Sequence, residues 1–333
     1  MLGAQVGVGE YEQRVQQQIK QYATTENMHQ LPKSFAYWQR KYFLPAFETI
    51  FGVKNHLEFY AKYLGEGMTS SKCWRIASLG CGDGAVEVAI ARLLRRNGID
   101  EFVFSLVDLS GPQLDRARRN VEQSGLAENF AFVEADFNVW NATQSYGGVM
   151  VHHALHHVQN LEHLTVEIYR CLADEGLFCT IDVIGRNGHQ RWPEALDIIE
   201  KMWAFLPPEK KLHRIFKVVD HHFRNHDCST QGFEGIRAQD ILPLLVSTFG
   251  FSGFFCFGNL IDVFTTRAYG ANFEPENATD AAFIDFVQYL NELLIDLGHL
   301  KPTRMSAVMT KNKKCEPRVY KNWTPEFAIR RVG

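Results

Sequence analysis

Residues 75–89 read RIASLGCGDGAVEVA, and the change of pattern inside this stretch decides the fold. Ile76, Ala77 and Leu79 make a short apolar run, and Gly80-Cys81-Gly82-Asp83-Gly84 follows as a turn. Val86, Val88, Ile90 and Leu93 then recur at helical spacing. Strand, glycine turn and amphipathic helix in that order form the opening unit of a nucleotide-binding α/β fold. Glycine serves there because the backbone must turn sharply and admit a ligand without a Cβ in its way. Read alone, the turn also satisfies the alanine-ended dinucleotide fingerprint, Gly80-x-Gly82-x-x-Ala85.

Asp83 separates the two readings. A carboxylate inside the turn would face the pyrophosphate of a dinucleotide, a repulsion of like charges at short range. A ligand carrying an amino acid and a sulfonium there would be attracted instead. From Leu79 to Gly84 the stretch resembles motif I of the class I S-adenosylmethionine-dependent methyltransferases. The resemblance implies a doubly wound, Rossmann-like α/β fold with a seven-stranded sheet whose last strand runs antiparallel. It also implies S-adenosyl-L-methionine as the cofactor.

The chain downstream continues the pattern. Residues 102–107, FVFSLV, form a second strand ending in Asp108 and Leu109. An acidic residue at that tip accepts hydrogen bonds from both hydroxyls of a ribose. Ser110 and Pro112 open the next helix. The third strand, 130–134, leads into Asp136-Phe137, which in the resembled family take the exocyclic amine and the ring of adenine. Carried over position by position, Gly80, Gly82 and Gly84, with Cys81 among them, would approach the methionine part and Asp108 with Leu109 the ribose.

The fourth strand, 147–151, runs into His152-His153-Ala154-Leu155-His156-His157. Ligands of open α/β sheets bind at the carboxyl ends of strands, so these histidines belong beside the reaction centre. Leu155-His156-His157 is similar to the post-strand stretch of many small-molecule methyltransferases. His152 and His153 are expected to line the cofactor pocket. Methyl transfer to a hydroxyl also requires a proton acceptor, and histidine titrates near working pH. His157 is the expected base and His156 its alternative; against both stands packing or acceptor positioning alone. A helix over 161–172, a turn at 173–176 and a fifth strand, 177–183, follow, with Asp182 facing the acceptor or capping the next turn.

Beyond residue 185 the resembled core has no equivalent until about residue 240. Helices over 192–205 and 212–219 and a polar, histidine-bearing loop over 220–235 are expected to form an acceptor lid. His221, His222, His226 and Asp227 have metal-ligand chemistry, but adjacent histidines in a polar loop define no coordination geometry, and no metal is expected. A sixth strand at 251–257 and a seventh at 305–309 flank a second insertion. The expected divisions are 1–68, an N-terminal helical cap; 69–185, the cofactor-binding core; 186–240, the lid; 241–312, the rest of the core; and 313–333, a basic, solvated tail. In the cap, Pro32 and Pro45 should break or bend the helices, and the aromatics between residues 35 and 51 should be core.

With 333 residues and 46% hydrophobic content the chain can bury a large core. A net charge of −3 supplies no global basic field for nucleic acid or anionic lipid. Seven cysteines without a CxxC pair fit reduced thiols and a cytoplasmic setting. No signal-peptide pattern or apolar run of about 18 residues is present. The acceptor is therefore expected to be a small molecule or saccharide, methylated on a hydroxyl oxygen, with neither nucleic acid nor membrane as partner. Nitrogen or carbon methylation, a non-catalytic S-adenosylmethionine-binding protein and an NAD-dependent oxidoreductase stand as alternatives.

Overall fold

Alternation along the strands sorts the helices into two layers. The computed structural model describes residues 8–23, 31–230 and 232–331. Its strands are β1 (Arg75–Leu79), β2 (Val103–Asp108), β3 (Phe130–Glu134), β4 (Tyr146–His152), β5 (Leu172–Val183), β6 (Leu212–His213), β7 (Val218–Val219), β8 (Gly250–Phe257), β9 (Arg304–Thr310) and β10 (Arg318–Val319). Eight of them form one sheet in the order β10-β8-β9-β5-β4-β1-β2-β3, while β6 and β7 pair separately. Ile76, Phe104, Met150, Cys179 and Val308 face one apolar cluster with helices α3 (Leu44–Phe51), α4 (His56–Ser71), α5 (Ala85–Arg96) and α6 (Gly111–Ser124). Ala77, Leu79, Val149, Phe178 and Met309 face the other, with helices that follow β4. Period-two alternation thus gives a sheet covered on both faces, as parallel strands require.

The chain runs β1, β2, β3 toward one edge and returns through β4 and β5 on the other side of β1. The carboxyl ends of β1 and β4 therefore border the topological switch point, where ligands bind in open α/β sheets. Leu79 lies opposite both Val107 and Val151, which aligns the tips of the three strands. β9 is antiparallel to β5 and β8, and the seven expected strands are all present. In β5 the partners step from Tyr146–Leu172 to Gly148–Leu177, so the expected turn at 173–176 bulges from the ladder.

Several expectations are corrected. Residues 212–219 form the β6–β7 hairpin, with Leu212 opposite Val219 and His213 opposite Val218; β-branched valines favour strand over helix. The tail adds an eighth strand, β10, parallel to β8, and is anchored by its aromatics. Trp323 is buried and donates its indole N–H to Asp296 at 2.8 Å.

The N-terminal part bends differently from a simple proline break. Pro32 precedes α2 (Lys33–Trp38), and a π-helical stretch at Gln39–Phe43 leads into α3, which holds Pro45 at its start. The wider π turn accommodates the missing proline N–H. Trp38 and Tyr42 bond Gln288 and Asp285 of the helix Ala278–Asp296, so these aromatics serve packing. Helix α4 crosses the expected boundary at residue 68 and rests on β4. A Cβ on Gly147 would lie 2.1 Å from the Cys73 carbonyl oxygen, and one on Gly67 would lie 2.5 Å from that of Gly147.

Candidate active site

The glycine turn has left-handed backbone at Gly80, Gly82 and Gly84, with φ of 80°, 55° and 71°. A Cβ on Gly80 would stand 2.5 Å from the Cβ of Ala154 and 3.7 Å from the ring of Phe137. Gly80, Ala154 and Phe137 therefore meet at one wall of the switch-point crevice. Cys81 is buried beneath the turn. Asp108 reaches across from β2: its Oδ2 accepts from the Gly82 N–H at 2.9 Å, and its Oδ1 from that of Ser110 at 2.9 Å. Burial raises its pKa, with the hydrogen bonds from Ser110, Gly82 and Leu109 opposing. A carboxylate holds about four lone-pair sites, so beyond these three bonds about one remains for a further donor.

Glu87, in the first turn of α5, was not singled out from the sequence. It is buried, accepts from Ser78 Oγ at 2.6 Å, and leaves Oε2 without a partner among the described residues. Burial pushes its carboxyl up to about 7 despite that hydrogen bond. Tyr11, another residue the sequence did not mark, donates its phenol to Asp136 Oδ2. Asp136 Oδ1 takes the Asn138 backbone and side-chain N–H groups at 2.9 and 2.8 Å. Arg14 of the same helix, α1 (Val8–Ala23), donates to the carbonyls of Ser229 and Gly232, fastening it to the lid segment.

The histidine run divides. His152 stacks on His56, with centroids 5.4 Å apart, and its Nδ1 lies 3.3 Å from the Tyr60 hydroxyl. His153 is exposed, with left-handed φ of 53°. His156 and His157 occupy the 3-10 turn after β4 and converge with groups from elsewhere.

Asp182, fully buried on β5, accepts from the N–H groups of Ala154 and Leu155 at 3.0 and 2.8 Å, and pairs with His156 Nδ1 at 2.5 Å. Burial would raise its pKa, but the His156 charge and hydrogen bonds hold it at about 2. Glu234, from the lid, accepts from His189 Nε2 at 2.7 Å. It also lies 3.6 Å from His156 Nε2 and 3.6 Å from His157 Nε2. Burial disfavours the charge on His156, yet Asp182 and Glu234 outweigh it and raise the imidazole to about 10. Burial, with the His156 charge, pushes His157 down to about 3. The site thus sets a fixed imidazolium beside a neutral imidazole, both facing one carboxylate.

His156, His189 and Glu234 offer ligand atoms within 4.8 Å of one another and have the chemistry to hold a divalent ion. The loop at 221–227 is not such a centre: His222 is exposed against Glu200 at 3.2 Å, and Asp227 is engaged with Ser229. A groove of about 700 Å³ between α4 and α5, lined by Lys62, Glu66, Leu93 and Arg96, opens at the opposite end of the strands.

Comparison with known proteins agrees with this construction. Residues 76–176 match the family model described as a methyltransferase domain. The match places a methyltransferase domain on residues 76–176, which is consistent with a class I S-adenosylmethionine-dependent methyltransferase and with S-adenosylmethionine as cofactor.

The chain is 25% identical over 153 residues to the ribosomal RNA large subunit methyltransferase G of Psychromonas ingrahamii, across 44% of this chain and 38% of that protein. It therefore spans less than half the length of this curated relative. Among solved structures it is similar to the O-methyltransferase from the trans-AT PKS multienzyme of Brevibacillus brevis in complex with S-adenosyl-L-homocysteine. That similarity has 14% identity, 92% and 95% coverage and a TM-score of 0.45. It is also similar to a putative sarcosine dimethylglycine methyltransferase from Galdieria sulphuraria, with 15% identity, 76% and 85% coverage and a TM-score of 0.42. Among the described residues, no helix is long and apolar enough to cross a membrane.

Proposed function

We propose that the protein transfers the methyl group of S-adenosylmethionine to a hydroxyl oxygen of a small-molecule or saccharide acceptor. The observation that carries this reading is the convergence of His156, His157 and His189 on Glu234 at the carboxyl end of β4, beside the glycine turn. Displacement at the sulfonium methyl needs an aligned acceptor, a dry site and a place for the acceptor's proton. We assign that place to His157: it is neutral, burial and the His156 charge hold it a weaker base than a free imidazole, and Glu234 opposes them and would stabilise the imidazolium formed. His156, pinned as a cation between Asp182 and Glu234, positions that carboxylate rather than taking a proton. Gly80, Gly82 and Gly84, with Cys81, His152 and His153, would hold the cofactor's methionine end. Its ribose would meet Asp108 and Leu109, and its adenine Asp136 and Phe137.

A screen of hydroxylated small molecules and sugars, using S-adenosylhomocysteine release as readout, tests the reading. Turnover that falls in His157→Gln with cofactor affinity intact supports it; unchanged turnover in the variant refutes the base assignment. The ribosomal RNA methyltransferase relative favours a second reading, a nucleic acid acceptor. Methylation of ribosomal RNA fragments with no turnover of any small hydroxyl compound would establish that reading instead.

A further inference from the structure

Among the described residues, two guanidiniums beside the histidine cluster have no hydrogen-bond acceptor. Arg191 follows the turn after β5, and Arg304 opens β9. Their side chains are 15% and 31% exposed, and each approaches one carboxylate, Asp262: Arg191 Nη1 at 3.8 Å and Arg304 Nε at 3.4 Å. Neither approach makes a hydrogen bond, and Arg191 Nε is buried with no partner among the described residues. Asp262 Oδ2 is instead hydrogen-bonded by the Thr303 hydroxyl at 2.8 Å.

This arrangement is costly as it stands. A guanidinium carries five N–H donors in a planar fork, and a buried charged donor left unpaired is destabilising. Two such forks share the single Asp262 carboxylate without a hydrogen bond from either. By contrast, Arg330 meets Glu194 and Arg237 meets Glu162 through two hydrogen bonds each.

The position of the pair gives these unused donors a meaning. Arg304 faces Val183 across the β5–β9 ladder, one rung from Asp182, which holds His156. Its charge acts on His189 and on Arg191, so the three lie close together. The carboxyl edge of the sheet therefore presents, in sequence, the glycine turn, the histidine–Glu234 cluster and the arginine pair.

We propose that Arg191 and Arg304 form a subsite for an anionic group of the acceptor, a carboxylate or phosphate held by the two guanidinium forks. It deepens the methyl-transfer reading, on which its role as an acceptor subsite rests: the anion anchors one end while the hydroxyl lies at His157 and Glu234. Planar forks match the oxygens of either group bidentately, which a neutral sugar cannot exploit.

The test is calorimetric titration of the full chain at constant ionic strength with inorganic phosphate, glucuronate and glucose, alongside S-adenosylhomocysteine as a separate titrant. Saturable binding of phosphate or glucuronate but not glucose is expected, weakened about tenfold or more in Arg304→Gln and in Arg191→Lys. Arg191→Lys keeps the charge but loses the fork, and S-adenosylhomocysteine affinity within about twofold of the parent certifies that each variant is folded. Arg214→Gln, altered at a guanidinium tied to Asn272 and Ala271, serves as the control that keeps anion binding. Glucuronate binding without phosphate assigns a carboxylate, and the converse assigns a phosphate. Absence of saturable binding by either anion, equal binding of glucose, or binding unchanged in both folded variants overturns the proposal. Anion binding by a chain that does not bind S-adenosylhomocysteine would sink the methyl-transfer reading and leave the anion site standing.

Discussion

Asp108 ties the glycine turn to the strand beside it, because one carboxylate accepts from Gly82 and Ser110 and keeps a lone pair for a ribose. Asp108→Ala removes charge-assisted bonds each worth about 1.5–3 kcal/mol, so S-adenosylhomocysteine affinity should fall by about tenfold to a hundredfold in a calorimetric titration. At His157 the expected loss is in rate: His157→Gln should lower kcat by about 10²–10⁴ with cofactor affinity preserved, read from steady-state kinetics on an accepted substrate.

Glu87 gives a pH prediction. Burial raises its folded pKa from 4.5 to about 7, so between those values the folded chain holds a proton that the unfolded chain has lost. The associated stability is fully present below about 4.5 and is lost as pH rises through about 7, a change on the order of 3 kcal/mol. Denaturant melts of the cofactor-free protein at pH 5 and pH 8 should show this decline, and Glu87→Gln should flatten it. An equal decline in the variant would assign the effect to other groups. The positions of Asp108, at the tip of β2, and of His157, in the short turn after β4, were legible from sequence because nearby strand ends set them. Glu87 was not, since nothing in the spacing of α5 shows that Ser78 awaits it across the β1–α5 turn.

Elements were legible where a single period persisted. The strands β1 to β5 and the helices between them follow from strand alternation and helical apolar spacing, because each is decided by neighbours close in sequence, although Ser110 at the start of α6 makes no capping bond among the described residues. The 212–219 hairpin and the tail were misread because tertiary contacts decide them. Arg214 N–H bonds the Ala268 carbonyl at 2.7 Å, holding the hairpin against a distant loop. Trp323 seals against Asp296 and the rest of the C-terminal core. Trp323→Ala should therefore destabilise the whole fold by about 3–5 kcal/mol, measured by urea unfolding, whereas a solvated tail would give no change. The α4–β4 contact makes a complementary prediction. Gly147→Ala places a methyl group where the Cys73 carbonyl stands, and overpacking of this kind costs about 1–3 kcal/mol or more. A variant that melts at the parental temperature would show that α4 does not rest on β4 as closely as described.

Across the whole molecule, the cofactor side was written in local motifs and the acceptor side was not. Gly80, Asp108 and Asp136 each sit at a strand tip, so sheet topology alone brings them together. The proposed acceptor side draws on His156, Asp182, His189, Glu234, Arg191 and Arg304, which come from several segments and carry no shared spacing. Only folding of the lid over β4 and β5 makes them neighbours. The same separation holds for Tyr11 and Asp136, which are 125 residues apart. The central claim is that the crevice at the switch point takes S-adenosylmethionine, and calorimetric titration with S-adenosylmethionine, S-adenosylhomocysteine and NAD, repeated on Asp108→Ala, tests it most directly. Binding of both adenosyl ligands, weakened in the variant, with no binding of NAD, is the predicted result; binding of NAD alone would contradict it.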